Sequence, residues 1–349
     1  MKKLLLASAV AALSITAAQA APTVYGKAFL TLDVADGDDN SAFKDSRTQL
    51  NSNASRIGLK GSEALTQNTD LVYQLEYGVD VDANDNGKDQ FYSRDTYLGL
   101  ANKQYGTLVA GRLTAIDDYV NYANVTAGNP VGGDNVLATF DAPRANNAFA
   151  YFTPNYNGAQ FFGMYVLDEN KGANTEEVTT DVVDKTGTVI GTVKNEVAVG
   201  TDSLGRDAFG VGAKYEPTNA PYKVGATYIQ AGDFKAARVS GAYAASPVLT
   251  LGGLYQHTDY NTDDNENAFT ASANYKVAQT PWTTYGQLDF VDNYEGDKDA
   301  EVFRTVVGGK YAFNKATTGH VYGAYLRSED ASSEKADAYG IGGGIEYKF

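Results

Sequence analysis

Apolar and polar residues alternate along most of this chain, which is the pattern of a β-strand with one apolar and one polar face. In "LVYQLEYGVDVD", Leu71 to Asp82, every second residue from Leu71 to Val81 is apolar or aromatic, and the residues between them are mostly polar or small. "FTASANYKV", Phe269 to Val277, repeats the pattern. No long stretch has apolar residues at the helical period, so the sequence predicts an all-β protein.

The alternating segments are about ten residues long, the length of a membrane-spanning strand. We predict sixteen of them, at 23–34, 54–62, 70–82, 91–101, 106–112, 144–153, 159–168, 206–216, 222–231, 235–245, 248–258, 267–277, 282–291, 302–312, 319–328 and 338–349. The connections alternate in length. Short ones lie at 66–68, 103–106, 154–158, 217–221 and 314–317. Mostly longer ones, rich in Asp, Asn, Glu and Ser, lie at 35–53, 169–205, 259–266, 292–301 and 329–337.

Short turns at one rim and long polar loops at the other are typical of an outer-membrane β-barrel. The predicted fold is therefore a 16-stranded antiparallel transmembrane β-barrel with short periplasmic turns and long extracellular loops. Closure pairs the last strand with the first and leaves no free edge. A barrel of this size keeps a water-filled lumen, whereas a small one is filled by side chains.

A soluble β-sandwich is the main alternative fold. Its strands are more often about five or six residues long, and its apolar faces pack against each other. The chain holds 25 Tyr and 15 Phe, and those of the apolar faces fall preferentially near strand ends. Aromatic residues at strand ends form the girdles of membrane barrels, so the sequence favours the barrel.

The first twenty residues have the pattern of a secretory signal peptide. Lys2 and Lys3 precede an apolar run, and Ala18-Gln19-Ala20 is a small-x-small cleavage site. The predicted domains are a cleaved signal peptide, 1–20, and one barrel domain, 21–349. The chain has no cysteine, so disulfides are excluded. Its formal net charge is −15, and this negative charge disfavours binding to nucleic acid.

One long connection is less hydrophilic than the others. Residues 113–143, between Arg112 and Arg144, carry the apolar or aromatic side chains Ile116, Tyr119, Val120, Tyr122, Val125, Val131, Val136, Leu137 and Phe140. A loop in bulk water does not need these side chains. We therefore expect this third long loop to fold against the inner wall of the barrel.

Several motifs resemble those of the Gram-negative general diffusion porins. They are "SRIGLKG" (Ser55 to Gly61), "RDTYLGL" (Arg94 to Leu100), "YGTLVAGR" (Tyr105 to Arg112), "VGGD" (Val131 to Asp134), "RANNAFAYFTP" (Arg144 to Pro154) and "IEYKF" (Ile345 to Phe349). The resemblance covers the whole mature chain. It implies a homotrimer in the outer membrane of a Gram-negative bacterium, in contact with lipid and lipopolysaccharide and assembled by the barrel-assembly machinery. It also implies that the third loop narrows the channel.

The same resemblance implies a constriction with a basic wall opposite loop acids. The matching wall residues are Arg56, Arg94, Arg112 and Arg144. The candidate loop acids are Asp117, Asp118, Asp134 and Asp141. Arginine on the lipid face costs roughly 2–4 kcal/mol at the midplane, so we expect all four arginines inside. Arg94 shares its parity with Leu98 and Leu100, so these two leucines are expected to point inward near the rim. Asn129-Pro130-Val131 lacks the glutamate that some relatives carry there, so the number of acids stays open.

The predicted function is passive diffusion of small hydrophilic solutes and ions through a water-filled channel. The excess of acidic residues suggests a weak cation preference. The alternative is a substrate-specific channel, in which the inward-facing residues Arg206, Arg238 and Arg304 would form a track. The 169–205 loop, with a small hairpin at Val182 to Ile190, could also make the protein an adhesin or phage receptor.

The sequence predicts no enzyme, and no catalytic, cofactor or metal site. The chain has only two histidines, His257 and His320, and the predicted strands place them at opposite rims. A histidine held by a carboxylate beside a nucleophile is the usual hydrolase arrangement, and the two histidines cannot share one site.

The chain ends on an alternating strand, Ala338 to Phe349, whose apolar residues include Ile345, Tyr347 and Phe349. In a barrel this strand pairs with Thr23 to Leu30 and turns its apolar face to lipid. By resemblance to the family, Phe349 and Tyr347 form the signal that the assembly machinery reads.

Overall fold

The structure is a computed structural model that describes residues 21–38, 46–82, 90–128, 144–167, 175–183, 189–198, 208–262 and 264–349. The predicted signal peptide lies outside the described residues, as do Asp134, Asp141, Arg206 and the second half of the predicted constriction loop, 129–143. The strands are β1 (Thr23–Gly37), β2 (Arg47–Ser52), β3 (Arg56–Ala64), β4 (Thr69–Val79), β5 (Phe91–Asn102), β6 (Gly106–Thr114), β7 (Arg144–Phe152), β8 (Ala159–Val166), β9 (Thr175–Val183), β10 (Val189–Ala198), β11 (Ala208–Tyr215), β12 (Tyr222–Ala231), β13 (Phe234–Ala244), β14 (Leu249–Asp259), β15 (Asn265–Lys276), β16 (Trp282–Asp292), β17 (Glu301–Ala312), β18 (Thr317–Glu329) and β19 (Lys335–Lys348).

The strands form one closed antiparallel barrel. Each pairs with its neighbours in the chain, except that β8 pairs with β11 across the β9–β10 hairpin. The last strand pairs with the first, with Leu30 opposite Ile345, so the sheet has no free edge. Both β2 and β3 pair with β1, with a shift of one residue between the two registers, and they are two halves of a single strand interrupted near Ala54, whose φ is 50°. The described barrel therefore has sixteen strands, which confirms the predicted fold.

The second strand is longer than its alternation indicates. The sequence predicts a start at 54, but β2 extends it back to Arg47. The missed half, "RTQLNS", is polar on both faces apart from Leu50, and so has no period for a pattern to detect. The predicted hairpin near 182–190 is likewise only the tip of a longer one, β9–β10, which pairs from Thr175 to Ala198.

The barrel is apolar outside and polar inside. On the outer face Ile341 is 67% exposed and Val307 is 63% exposed, whereas inside Gln256 and Gln287 are each 1% exposed. This is the reverse of a water-soluble domain and is the pattern of a wall between lipid and water. No helix in the described residues is long and apolar enough to cross a membrane.

Aromatic side chains surround the outer wall at the rim of short turns, which we call the short-turn rim. Tyr215 and Tyr222 lie 6.1 Å apart between ring centroids, and Tyr311 lies 5.1 Å from Trp282 and 4.8 Å from Phe313. Amphipathic rings of this kind are favoured where lipid meets water. These aromatic side chains mark where the barrel crosses one of the two membrane–water interfaces.

The C-terminal residue completes the junction between the first and last strands. The Phe349 amide donates to the Gly26 oxygen at 3.1 Å, and the Gly26 amide donates to the Phe349 oxygen at 2.9 Å. The Phe349 ring packs directly over Gly26 and stacks on Tyr347 with 5.9 Å between centroids. A Cβ at position 26 would collide with that ring, so only glycine fits beneath it.

Candidate functional site

After β6 the chain leaves the wall and enters the lumen. A 3-10 helical turn, Ile116–Val120, begins this segment, and Ile116, Val120 and Ala123 are each 1% exposed or less. They lie against the inner faces of β11, β12 and β14. Of the apolar side chains that the sequence places in this loop, Ile116 and Val120 therefore pack on the wall, and Val131, Val136, Leu137 and Phe140 lie outside the described residues.

Three glycines of the inner wall form a trough for this segment. A Cβ at Gly210 would lie 2.7 Å from Ile116 Cδ1, and a Cβ at Gly225 would lie 2.9 Å from Val120 Cγ2. A Cβ at Gly252 would lie 2.9 Å from the Ala123 Cα. These distances are shorter than real Cβ contacts, so the loop lies in space that any larger residue would fill. We call Gly210, Gly225 and Gly252 the glycine trough.

Polar side chains of the far wall hold the loop backbone. The Tyr122 amide donates to Ser240 Oγ at 3.0 Å, and the Val125 amide donates to Gln287 Oε1 at 2.9 Å. Lys310 Nζ donates to the Val125 oxygen at 2.9 Å. These side chains lie on β13, β16 and β17, so the segment is bonded along about half of the barrel wall. Such bonds satisfy backbone groups that would otherwise be buried without a partner.

The first loop acid is an anchor rather than a pore-lining charge. Asp117 Oδ2 lies 3.2 Å from Arg238 Nη2, and both side chains are less than a tenth exposed. Arg238 also donates to the Asp117 backbone oxygen at 3.1 Å and to Gln256 Oε1 at 2.7 Å. The Asp117 side chain therefore lies between the loop and the wall that carries Arg238. It does not face the predicted basic wall of Arg56, Arg94, Arg112 and Arg144.

The next acid, Asp118, is exposed in the lumen. Partial desolvation beside the wall raises the pKa of Asp118 above its ordinary value, and the negative charge of Asp117 raises it further. The charges of Arg238 and Arg144 act on the same carboxylate in the opposite direction. Of the two acids that the sequence singles out in the described part of the loop, Asp118 is the one available to passing ions.

On the opposite wall, Arg56 and Arg94 share one carboxylate. Glu76 accepts from Arg94 Nε at 2.6 Å and lies 3.5 Å from Arg56 Nε, and it also accepts from the Tyr25 hydroxyl at 3.0 Å. Bonds between charged groups are shorter and stronger than neutral ones. The alternation places Glu76 on a polar face but does not single it out, because only the cross-strand register brings it between the two arginines.

A β-bulge explains how Arg94 points inward. In β5, Arg94 and Asp95 both face Glu76 of β4, so the strand has one extra residue. The extra residue moves the side chains after it to the opposite face. Leu98 and Leu100 therefore lie outside, and the expectation from their parity with Arg94 that they point inward is wrong.

The remaining wall arginines have separate partners. Arg144 Nε lies 2.7 Å from Asp95 Oδ1, which also accepts from the Thr114 hydroxyl at 2.7 Å. Arg112 donates to Asn146 Oδ1 at 2.6 Å. The structure thus brings Arg56, Arg94 and Arg144 together with wall carboxylates on β4 and β5. These three arginines, with Glu76 and Asp95, form what we call the arginine wall.

A second buried ion pair lies behind the loop. Arg304 is 2.9 Å from Asp289, which also accepts from Thr270 at 2.7 Å and from Gln287 at 2.9 Å. Arg304 and Arg238 are each 4% exposed. A track that guides substrate needs accessible side chains, and these two arginines are buried in ion pairs.

The two histidines lie far apart in the register. His257, on β14, contacts Asn267 through Nδ1 at 3.0 Å. His320 lies on the inner face of β18 with its ring 4.6 Å from that of Phe29. The structure does not bring either one to a described carboxylate in the manner of a hydrolase.

A family model of Gram-negative porins matches residues 6–332 of this sequence. The chain belongs to the Gram-negative porin family. This porin is 27% identical to an outer membrane porin protein of Bordetella pertussis and 27% identical to the major outer membrane protein of Pasteurella multocida, each over the full length of both chains. It is 25% identical to the major outer membrane protein P.IA of Neisseria meningitidis, over 87% of this chain and 83% of that protein.

Solved structures share the fold of this porin. The anion-selective porin from Comamonas acidovorans aligns with a TM-score of 0.69 and 21% identity, over 94% of this chain and 99% of that one. OmpF of Salmonella typhi aligns with a TM-score of 0.63 and 17% identity, over 94% and 97%. The porin is therefore an outer-membrane protein of a Gram-negative bacterium that forms a channel for passive diffusion of solutes. Its relatives are channel proteins and not enzymes.

Proposed function

We propose that this porin is a general diffusion channel whose narrowest part lies between the arginine wall and Asp118. The main support for this proposal is the path of the loop through the lumen. It leaves β6, next to the arginine wall, and is clamped to β11–β17 on the other side of the lumen by the glycine trough and the Arg238–Asp117 pair. Water and small solutes would pass between Asp118 and Arg56, Arg94 and Arg144.

The proposed ion preference is weakly cationic. Glu76 and Asp95 offset much of the positive charge of the arginine wall, and Arg238 is balanced by Asp117. With these pairs neutral, the acidic excess of the whole chain dominates the long-range potential. A substrate-specific track is not favoured, because Arg238 and Arg304 are buried.

The proposed assembly is a homotrimer in contact with outer-membrane lipid and lipopolysaccharide, delivered by the barrel-assembly machinery. One solved neighbour, OmpT of Vibrio cholerae, is described as a trimer form and aligns with a TM-score of 0.58. We also propose that the mature chain begins at Ala21, after cleavage of residues 1–20. N-terminal sequencing of the protein from outer membranes tests the cleavage site.

Reversal potentials across planar bilayers in a potassium chloride gradient test the proposed constriction. Arg94→Gln should shift the potential further toward potassium, because it removes a positive charge from the narrowest part. The matched control is Arg327→Gln, which removes an arginine that pairs with Asp337 at the opposite, outward side of the sheet. Equal shifts in the two variants, or a wild-type potential that favours chloride, would contradict the proposal.

A further inference from the structure

In the residues that the structure describes, the lysines of the inner wall lie at one end of the barrel. Seven lysines lie within four residues of the short-turn end of their strands: Lys27, Lys60, Lys214, Lys223, Lys276, Lys310 and Lys348. They come from β1, β3, β11, β12, β15, β17 and β19, so they follow the barrel from β11 round to β3. We call them the lysine arc.

The register places all seven on the inner face. Lys348 is opposite Lys27, two residues from the buried Phe29, and Lys60 is opposite Thr23 of the same face. Lys310 bonds to the loop inside the lumen, and Lys276 is opposite Thr283, which is opposite Lys310. Lys214 is opposite Gly225 of the glycine trough, and Lys223 lies two residues before Gly225 on β12, so both share the inner face with Gly225.

Few carboxylates offset the lysine arc. In the described residues of the same zone, the inner face adds Asp70 and Glu346, and Glu216 follows directly after β11. Glu346 lies 2.7 Å from Lys348, and Glu216 lies 3.2 Å from Lys214 and 3.6 Å from Lys223. Seven ammonium groups therefore face three carboxylates, and the zone has a net positive charge although the whole chain is acidic.

The opposite mouth has the opposite charge. The loop 259–266 carries four carboxylates and no basic residue, and 292–301 carries five carboxylates and one lysine. Five inner arginines between the two ends are paired with carboxylates: Arg56, Arg94, Arg144, Arg238 and Arg304. In the described part of the inner wall, net positive charge is thus concentrated at the short-turn rim, which faces the periplasm in this fold.

We infer that the lysine arc is an entry and binding site for small multivalent oxyanions at the periplasmic mouth of the channel. A ring of one sign of charge in a low-dielectric wall focuses the field and raises the local concentration of ions of the other sign. Ammonium groups on flexible stems bind phosphate-type oxygens as point charges. An oxyanion therefore meets an attractive mouth from the periplasm and a repulsive one from outside. The inference rests on the proposed function, because it needs an open channel.

The test is block of the channel by inorganic pyrophosphate added to one side of a planar bilayer. Since the chain has no cysteine, a single Ser332→Cys change in an exposed loop, labelled with biotin, identifies the extracellular side through avidin binding. Pyrophosphate on the periplasmic side should reduce the conductance at low salt, and the same concentration on the extracellular side should have little effect. The block should disappear in about 1 M salt, where the screening length falls to about 3 Å.

Two variants separate the lysine arc from general charge effects. Lys60→Gln, Lys223→Gln and Lys276→Gln together should raise the half-blocking concentration about tenfold or more, because all three side chains are exposed in the lumen. The control replaces three exposed lysines of the other rim, Lys235, Lys298 and Lys335, by glutamine and should leave the block unchanged. If the triple variant assembles poorly, Lys276→Gln alone should show a smaller increase.

The outcomes distinguish this inference from the proposed function. Absence of any conductance would overturn the channel itself. A conducting channel that pyrophosphate blocks equally from both sides, or that is blocked equally in the triple variant and the control, would overturn only the lysine arc as an anion site.

Discussion

Asp118 and Asp117 are neighbours in the chain but have different surroundings. Asp117 is buried against Arg238, whereas Asp118 is open to the lumen and has a raised pKa. A carboxyl with a raised pKa gains its proton at a higher pH on acidification than an ordinary aspartate, whose pKa is about 3.9. As the pH falls through that raised value, the constriction loses a negative charge.

Acidification should therefore reduce the cation preference of the channel, starting above the usual range for aspartate. Asp118→Asn should have a lower cation preference at neutral pH and no response to pH over the same interval. Reversal potentials measured stepwise from neutral to acidic pH check this expectation. An unchanged pH response in the variant would assign the titration to another carboxyl.

The buried Arg238–Asp117 pair should contribute to the stability of the loop. Arg238→Met leaves Asp117 buried without its partner, and breaking a buried pair in this way costs roughly 3–5 kcal/mol. The double variant, Arg238→Met with Asp117→Leu, removes both charges and should recover much of that loss. Urea unfolding in lipid vesicles measures the difference. Equal destabilisation of the single and double variants would mean that the pair is not coupled.

At the scale of elements, the glycine trough determines how far the loop stands from the wall. Gly225→Val should push Val120 away from β12 and into the lumen, and so reduce the single-channel conductance. The matched control is Gly253→Val, because a Cβ at Gly253 has no atom within 4 Å. The same fall in conductance in both variants would contradict this role of the trough.

Most strands could be predicted from the sequence because each has its own alternating pattern. The half-strand β2 could not, since both of its faces are polar. The inward position of Arg94 could not either, because the bulge opposite Glu76 shows only in the pairing of β4 with β5. Alternation in the sequence shows which residues share one face of a strand. It does not show where a bulge moves the following side chains to the other face.

The candidate site was only partly predictable for the same reason. The resemblance identifies the arginines and the loop, but the partners of the loop lie far away in the chain. Tyr122 bonds to Ser240, 118 residues later, and Val125 bonds to Gln287, 162 residues later. Only closure of the barrel brings these residues together, so no local pattern indicates them.

At the scale of the whole molecule, the C-terminal residue belongs to the seam of the barrel. Deleting Phe349 removes two backbone hydrogen bonds to Gly26 and the ring that covers it, so assembly should suffer more than ion preference. The yield of assembled protein in outer membranes measures assembly, and the reversal potential measures ion preference. Phe313→Ala is the control, because Phe313 is an equally exposed aromatic residue, 60% against 54%, at the same rim. Normal yield after deletion of Phe349 would contradict an assembly role.

The central claim is that sixteen strands enclose an open aqueous passage, with the described part of the loop, residues 116–125, fixed to the wall. Single-channel recording of the purified porin in planar bilayers tests this claim most directly. We expect stable ohmic conductance that closes in three equal steps, one for each barrel of the proposed trimer. A protein that assembles in the membrane but carries no conductance would contradict it.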